Sequence, residues 1–185
     1  MCECATRGLG RLRRRSLLAM PLLMPAAEAM AQRAAGPRVL SLRNLHTGER
    51  FVGPYWASGG VLPEAREALD HLLRDHREDR ATAMDPRLFD MLWGILSRLG
   101  GRNRSIDILS AYRTPETNRP DVLGTPKVAK NSMHLQGRAI DLRVFGVTLP
   151  ALANLAFLTR LGGVGIYRAD AFVHIDTGPV RRWAA

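Results

Sequence analysis

The sequence predicts an α+β domain, and three observations predict it. Several short stretches alternate apolar and polar residues with a period of two, as half-buried strands do. Three longer stretches carry apolar residues at helical spacing and open with proline. Glycine and proline mark the boundaries between them, and 46% hydrophobic with 24% charged residues over 185 positions suits one globular domain that buries a core.

The first 31 residues read as a targeting signal. The basic run Arg11-Leu12-Arg13-Arg14-Arg15 precedes an apolar stretch over residues 17–27, and Ala29-Met30-Ala31 is a small-x-small cleavage pattern. Arg14-Arg15-Ser16-Leu17-Leu18 resembles a twin-arginine address, which implies export in the folded state to the periplasm. The apolar stretch is too short to span a bilayer and contains Pro21 and Pro25, so no stable membrane span is expected once the signal is removed. Both cysteines, Cys2 and Cys4, fall in this segment, so the remaining chain has neither a disulfide framework nor a thiolate ligand. The formal charge of +10 falls to +7 without residues 1–31, since 22 basic and 15 acidic side chains remain. Residues 32–37 form an Ala/Gly/Pro linker, and 38–185 is read as one domain.

Residues 38–45 alternate Val39, Leu40, Leu42 and Leu45 with polar neighbours, His46-Thr47-Gly48-Glu49 turns, and residues 50–56 form a second extended run. This is a β-hairpin pattern in which Gly48 suits a positive φ and His46 is a solvated turn residue. Residues 63–76 switch period: Pro63 opens a helix whose stripe is Ala65, Leu69, Leu72 and Leu73. His71 and His76 lie on it or at its end without a ligand partner at helical spacing, and residues 74–80 are a solvated end and loop. Asp85-Pro86 opens a second helix through Leu88, Phe89, Met91, Leu92, Ile95, Leu96 and Leu99 to Gly100-Gly101, with Met91 and Trp93 as packing residues.

Residues 106–109 form a short strand, and Ser110-Ala111-Tyr112-Arg113-Thr114-Pro115 leaves it as a turn. Arg113 at the mouth of this strand has two readings, a fork for a ligand carboxylate or developing oxyanion and an arginine in an ion pair. Residues 119–131 form a loop. The strand over 138–144 places Ile140, Leu142 and Val144 on one face and Ala139, Asp141 and Arg143 on the other. A third helix covers 149–161, opened by Thr148 and Pro150 and closed by Gly162-Gly163. Two strands at 164–167 and 172–176 follow, with Phe172, His174 and Asp176 on a common face.

The chemistry lies in His134, Asp141 and His174. Hydrolytic zinc sites use three His or carboxylate ligands and leave a fourth position for water, whose pKa the ion lowers. These three residues supply such a set, and His46, His71 and His76 do not. Asp176, two residues along the strand from His174, is either a general base or a carboxylate that orients a histidine. Asp170, on a turn, is a weaker base candidate and more simply a capping or solvated residue.

Ser132-x-His134-x-x-Gly137-x-Ala139-x-Asp141, preceded by Ser110-x-Tyr112-Arg113-Thr114 and followed by Phe172-Val173-His174-Ile175-Asp176-Thr177-Gly178, resembles the exported branch of the M15 zinc peptidases, in its murein endopeptidase K-like group. The resemblance extends to Leu42-x-Asn44-x-His46-Thr47-Gly48-Glu49 and covers nearly all of the chain beyond the leader. It implies the α+β fold of D-Ala-D-Ala carboxypeptidases and the hedgehog signalling domain, with a small antiparallel sheet carrying the metal and helices flanking it. It further implies Zn2+ held by His134, Asp141 and His174, with Arg113 holding substrate or stabilising the oxyanion. One departure stands out: many M15 enzymes carry a histidine two positions before the last ligand or a glutamate three before it, where this chain has Phe172 and Ala171. Asp176 is therefore expected as the general base by elimination.

The expected function is zinc-dependent hydrolysis of peptide bonds in peptidoglycan stem peptides or cross-links, and the basic surface suits that anionic polymer as partner. A catalytically inactive, zinc-stabilised module that binds the cell wall is the alternative, raised by Phe172 and Ala171. A nucleic-acid partner is suggested only by the sequence pI near 11.0, and no RNP-type strand, helix-turn-helix signature or zinc-finger spacing supports it.

Overall fold

The structure, a computed structural model, describes Met1 and residues 36–100, 104–124 and 131–185. The expected signal, apart from Met1, and linker residues 32–35 lie outside the described residues.

Eight strands form one sheet in the order β3-β2-β1-β4-β5-β7-β6-β8. The hairpin is β1 (Arg38–Asn44) and β2 (Arg50–Ala57), with Gly48 at φ 76° in its turn. The short β3 (Gly60–Val61) then leads into helix α1 (Pro63–Leu72). Helix α2 (Pro86–Arg98) is capped by Asp85, whose carboxylate accepts from Arg87 N–H. Strand β4 (Ile106–Ser110), the short helix α3 (Pro120–Leu123) and a 3-10 turn (Met133–Gln136) precede β5 (Ala139–Val144). Helix α4 (Leu149–Phe157), β6 (Gly163–Tyr167), β7 (Phe172–Asp176) and β8 (Arg181–Ala184) complete the fold.

The α+β class is the one expected. The sheet is larger than the small antiparallel one anticipated, and it is mixed: β1 pairs with β4, and β6 with β8, in parallel. Helix α1 is shorter than its apolar pattern because the chain turns after Leu73, where Asp75 bridges to Arg80 and its buried carboxylate accepts from Thr114 N–H at 2.8 Å. Helix α4 stops before the glycine pair because Arg160 takes a left-handed φ of 59°.

All the core aliphatics lie on one face of the sheet. Leu40 and Leu42 from β1, Ile106 and Ile108 from β4, Ile140, Leu142 and Val144 from β5, and Val173 and Ile175 from β7 pack against Leu69, Phe89, Leu92, Ile95 and Leu152 of the helices. Each such side chain contributes roughly 1.5–3 kcal/mol relative to leaving it in water. Period-two alternation therefore sends the other half of every strand to the helix-free face, where the polar residues Asp107, Asp141, Arg143, His174 and Asp176 collect.

The two halves of the sheet are staggered on that free face by a β-bulge. Asp107 pairs with Arg143 and Ser110 with Asp141, with the register shifting between Ile108 and Ser110. The extra residue on β4 lets Asp107 and Ser110, three apart in sequence, both face away from the helices.

Candidate metal centre

The three expected ligands come together on the free face. Asp141 on β5 and His174 on β7 are direct cross-strand partners. His134 arrives from the 3-10 turn, which Ser132 caps by accepting from His134 N–H and which Gly137 ends at φ 64°. A side chain at Gly137 would strain that φ and meet Thr82 and the Ala83 carbonyl at 2.9 and 3.0 Å, so glycine sets the angle at which the turn delivers His134. One ligand atom from each of His134, Asp141 and His174 lies within 4.8 Å of the others.

The hydrogen bonds assign the tautomers. His134 Nδ1 is 2.6 Å from the Ala111 carbonyl, which can only accept, so Nδ1 carries the proton and Nε2 is bare. That Nε2 faces His174 Nδ1 and Asp141 Oδ2, each at 3.3 Å. Ligands about 2.0–2.1 Å from a tetrahedral zinc are separated from one another by roughly 3.3 Å, so this donor set fits such an ion. His174 Nε2 donates to Asp176 Oδ2 at 3.2 Å, and its Nδ1 lies 2.8 Å from Asp141 Oδ1. Both imidazoles thus have their outer nitrogen committed to an oxygen acceptor, the arrangement that orients metal-binding histidines.

The electrostatics agree with a cation site. Burial pushes the His134 pKa down, against the pull of Asp141, so its ring stays neutral and available. Burial would also raise the Asp141 carboxyl, but His134 and His174 outweigh it and hold the group well below the usual carboxylate range. For His174, burial acts downward, and the hydrogen bonds to Asp141 and Asp176 overcome it and raise the pKa. Without an ion, His174 therefore retains its second proton above the usual histidine range. Metal binding displaces that proton, and affinity falls as pH drops.

Arg113 lies next to the ligands in an ion pair. Its guanidinium donates to Asp141 Oδ2 at 2.7 Å and to Ser110 Oγ at 2.9 Å, and its backbone N–H donates to the His134 carbonyl. The bulge that turns Ser110 onto this face thus also fixes Arg113. Asp176 is fully buried and saturated: Arg181 donates to Oδ1 and Oδ2 at 3.0 and 2.8 Å, and Gly178 N–H donates to Oδ1 at 2.8 Å. Burial raises its pKa, and the bonds from His174, Arg181 and Gly178 N–H more than reverse this, holding it far below the usual range. A carboxylate so held has low proton affinity and no free edge.

Arg181 and Trp183 were not singled out from the sequence. Strand β8 pairs with β6, setting Gly163 opposite Arg181 and Gly165 opposite Trp183. The Trp183 ring then lies 5.5 Å from His174, with the Arg181 guanidinium 4.7 Å from the Trp183 ring centre. A Cβ at Gly163 would overlap the Arg181 guanidinium, and one at Gly165 the Trp183 ring. Glycines alternating inside a strand signal such close approach, and Gly163-x-Gly165 carries that signal in the sequence. His46, His71 and His76 lie elsewhere: His46 Nε2 is 2.9 Å from the Leu109 carbonyl, its ring stacks on His76 at 4.0 Å, and His71 faces Glu49. Since a carbonyl only accepts, His46 Nε2 is the donor of that bond.

Comparison with known proteins agrees with this geometry. A family model described as peptidoglycan L,D-endopeptidase MepK, of the M15 peptidases, matches residues 32–183. The chain is 43% identical over 147 residues to the probable peptidoglycan L,D-endopeptidase MepK of Haemophilus influenzae, spanning 80% of this chain and 79% of that protein. It is 36% identical over 176 residues to the peptidoglycan L,D-endopeptidase MepK of Escherichia coli K12, spanning 92% of this chain and 96% of that protein. With a family match over most of its length and a His-Asp-His cluster at the heart of the matched region, this chain belongs to the M15 peptidase family in its MepK-like branch.

Proposed function

We propose that this protein is a zinc metallopeptidase that hydrolyses peptide bonds in peptidoglycan, and that the bond it cuts is the L,D cross-link between stem peptides. The convergence of His134 Nε2, Asp141 and His174 Nδ1, each with its outer atoms held by a second residue, carries the metal part of this reading. The choice of bond is supported by the relatives, which are described as L,D-endopeptidases. Export to the periplasm by the twin-arginine route is part of the proposal, and it rests on residues 1–31 of the sequence.

Zinc, when bound, supplies Lewis-acid polarisation and activation of water. The chain's own residues do the rest. His134 presents a bare Nε2 because the Ala111 carbonyl accepts its outer proton, and His174, whose Nε2 proton Asp176 accepts, offers Nδ1 once its second proton has left. Arg113 balances the Asp141 charge and keeps further guanidinium donors for an oxygen that gains negative charge. Arg181 neutralises Asp176, so the pair fixes His174 without adding net charge beside it.

The reaction is tested by incubating zinc-loaded protein with purified sacculi and separating the soluble fragments. New fragments from L,D-cross-linked material are expected. No fragments, or fragments from D,D cross-links alone, would overturn the corresponding part of the proposal. Two substitutions then divide the roles. Asp176→Asn weakens metal affinity or activity about 10–100-fold, as expected for a residue that acts through a ligand; if metal affinity is untouched and turnover alone vanishes, Asp176 is the base after all. Arg113→Lys keeps a positive charge and the metal stoichiometry but lowers kcat about 10²–10³-fold, because the ammonium cannot reproduce the fork. Full activity in Arg113→Lys would remove the oxyanion role.

A further inference from the structure

The free face carries a second charged feature beside the metal centre. Arg50 on β2 pairs with Arg43 on β1, Arg43 with Asp107 on β4, and Asp107 with Arg143 on β5, so these four residues form one row across four strands. At about 4.8 Å per strand the row is roughly 14 Å long. Arg143 lies two residues from Asp141 on β5, which puts the end of the row about 7 Å from the ligand strand position and on the same face. Arg50, Arg43 and Asp107 of the row line a groove of about 500 Å³ together with Arg104, Ser105 and Phe145, and Arg143 continues the row toward the metal centre.

The row is charged far beyond its internal needs. The row and its groove hold four arginines and one carboxylate. Asp107 accepts two bonds at 2.9 Å from Arg43 and has Arg143 at 3.9 Å. The Arg50 guanidinium makes no ion pair or side-chain hydrogen bond among the described residues. Arg50 and Arg43 are direct cross-strand neighbours, and like charges so placed destabilise a sheet. The Arg50–Arg43 juxtaposition costs the fold, whereas a ligand bearing carboxylates would be held by it, because guanidinium forks bind carboxylates bidentately.

We propose that Arg50, Arg43, Arg104 and Arg143 form a carboxylate-binding subsite that holds the acidic side of a peptidoglycan peptide while a neighbouring bond lies at the metal centre. This rests on the proposed hydrolase reading for the identity of the polymer. The Arg43–Asp107 pair anchors the row, and Arg50 and Arg143 are the members with the most unused donor capacity.

The test is co-sedimentation of zinc-loaded protein, on ice, with sacculi stripped of phosphate-bearing polymers, for wild type and Arg50→Gln/Arg143→Gln. The double variant is expected to bind about tenfold more weakly, the loss of roughly two exposed charge-assisted contacts. Wild type should fall to the same level on sacculi whose carboxylates have been amidated. The variant's melting temperature should be no lower than wild type, since the change relieves the Arg50–Arg43 repulsion. Equal binding by variant and wild type would overturn the subsite. So would a variant defect that persists on amidated sacculi, or binding to anionic phospholipid vesicles in place of stripped sacculi. Should wild type cut no bond yet bind in this carboxylate-dependent way, the hydrolase reading fails and the subsite stands; cleavage with no dependence on the row has the opposite meaning.

Discussion

His134→Ala and His174→Ala will each leave the protein without stoichiometric metal and without turnover on sacculi, while wild type holds about one zinc per chain. The expectation follows from how few donors the site has. His134 and His174 are the only two imidazoles among the described residues whose inner nitrogens converge on Asp141, and the nearby Asp176 carboxylate is occupied by Arg181 and Gly178 N–H. Losing either histidine leaves two ligands, too few to hold zinc against solvent. Metal analysis after dialysis reads the first effect and muropeptide release the second. Wild type that takes up no metal after supplementation would sink the centre altogether. Uptake should also weaken as pH falls, because Asp141 and Asp176 raise the His174 pKa and its proton must leave before the ligand nitrogen is free.

Gly162→Ala will cost about 3 kcal/mol or more of stability, the range of a severe overpacking defect. A Cβ at this position falls on the Asp176 carbonyl oxygen, with the Asp176 carbonyl carbon and Thr177 Cα at 2.8 and 3.0 Å. That backbone has nowhere to go. Thr177 N–H donates to the Arg138 carbonyl at 3.0 Å, and the Thr177 carbonyl accepts from Arg138 at 2.9 Å and Arg87 at 3.2 Å. Thr177 Oγ1 donates to Asp85, the cap of α2, so the clamp ties the metal-bearing strand to the helix layer. A thermal melt should show a fall of about 6–12 °C, at roughly 2–4 °C per kcal/mol for a domain of this size. Gly60→Ala is the control, since a Cβ there meets nothing within 4 Å, and it should change the melt by no more than about 2 °C. Equal melts for the two variants would mean that the segment at Asp176 yields more readily than its bonds imply.

The two kinds of residue in this site differ in how far their evidence reaches along the chain. Asp141 and His174 sit on strands whose period-two pattern is local, so the sequence alone shows that each lies opposite the aliphatic face. The turn that delivers His134 is also local, because Ser132 and Gly137 bracket it. Helices α1, α2 and α4 were likewise legible from proline at the start and the apolar stripe, and Gly100 marked the end of α2, whereas the C-terminal ends of α1 and α4 were not legible. Those ends are set by contacts made elsewhere, as where Asp75 turns away to bind Thr114 N–H.

The sequence by itself thus determined the α+β class, the ligand types and the face on which they gather. Only the tertiary structure decided which residues support them. Arg181 and Trp183 reach the site through the parallel pairing of β8 with β6, a contact with no periodic trace in four residues. The same pairing sets the surroundings of Asp176: the sequence places a carboxylate two residues from His174, and only the fold brings Arg181 across the sheet to hold both its oxygens. Side-chain direction is a property of a residue and its immediate neighbours, whereas the charge state and free edge of a buried carboxylate belong to whatever the rest of the chain places against it.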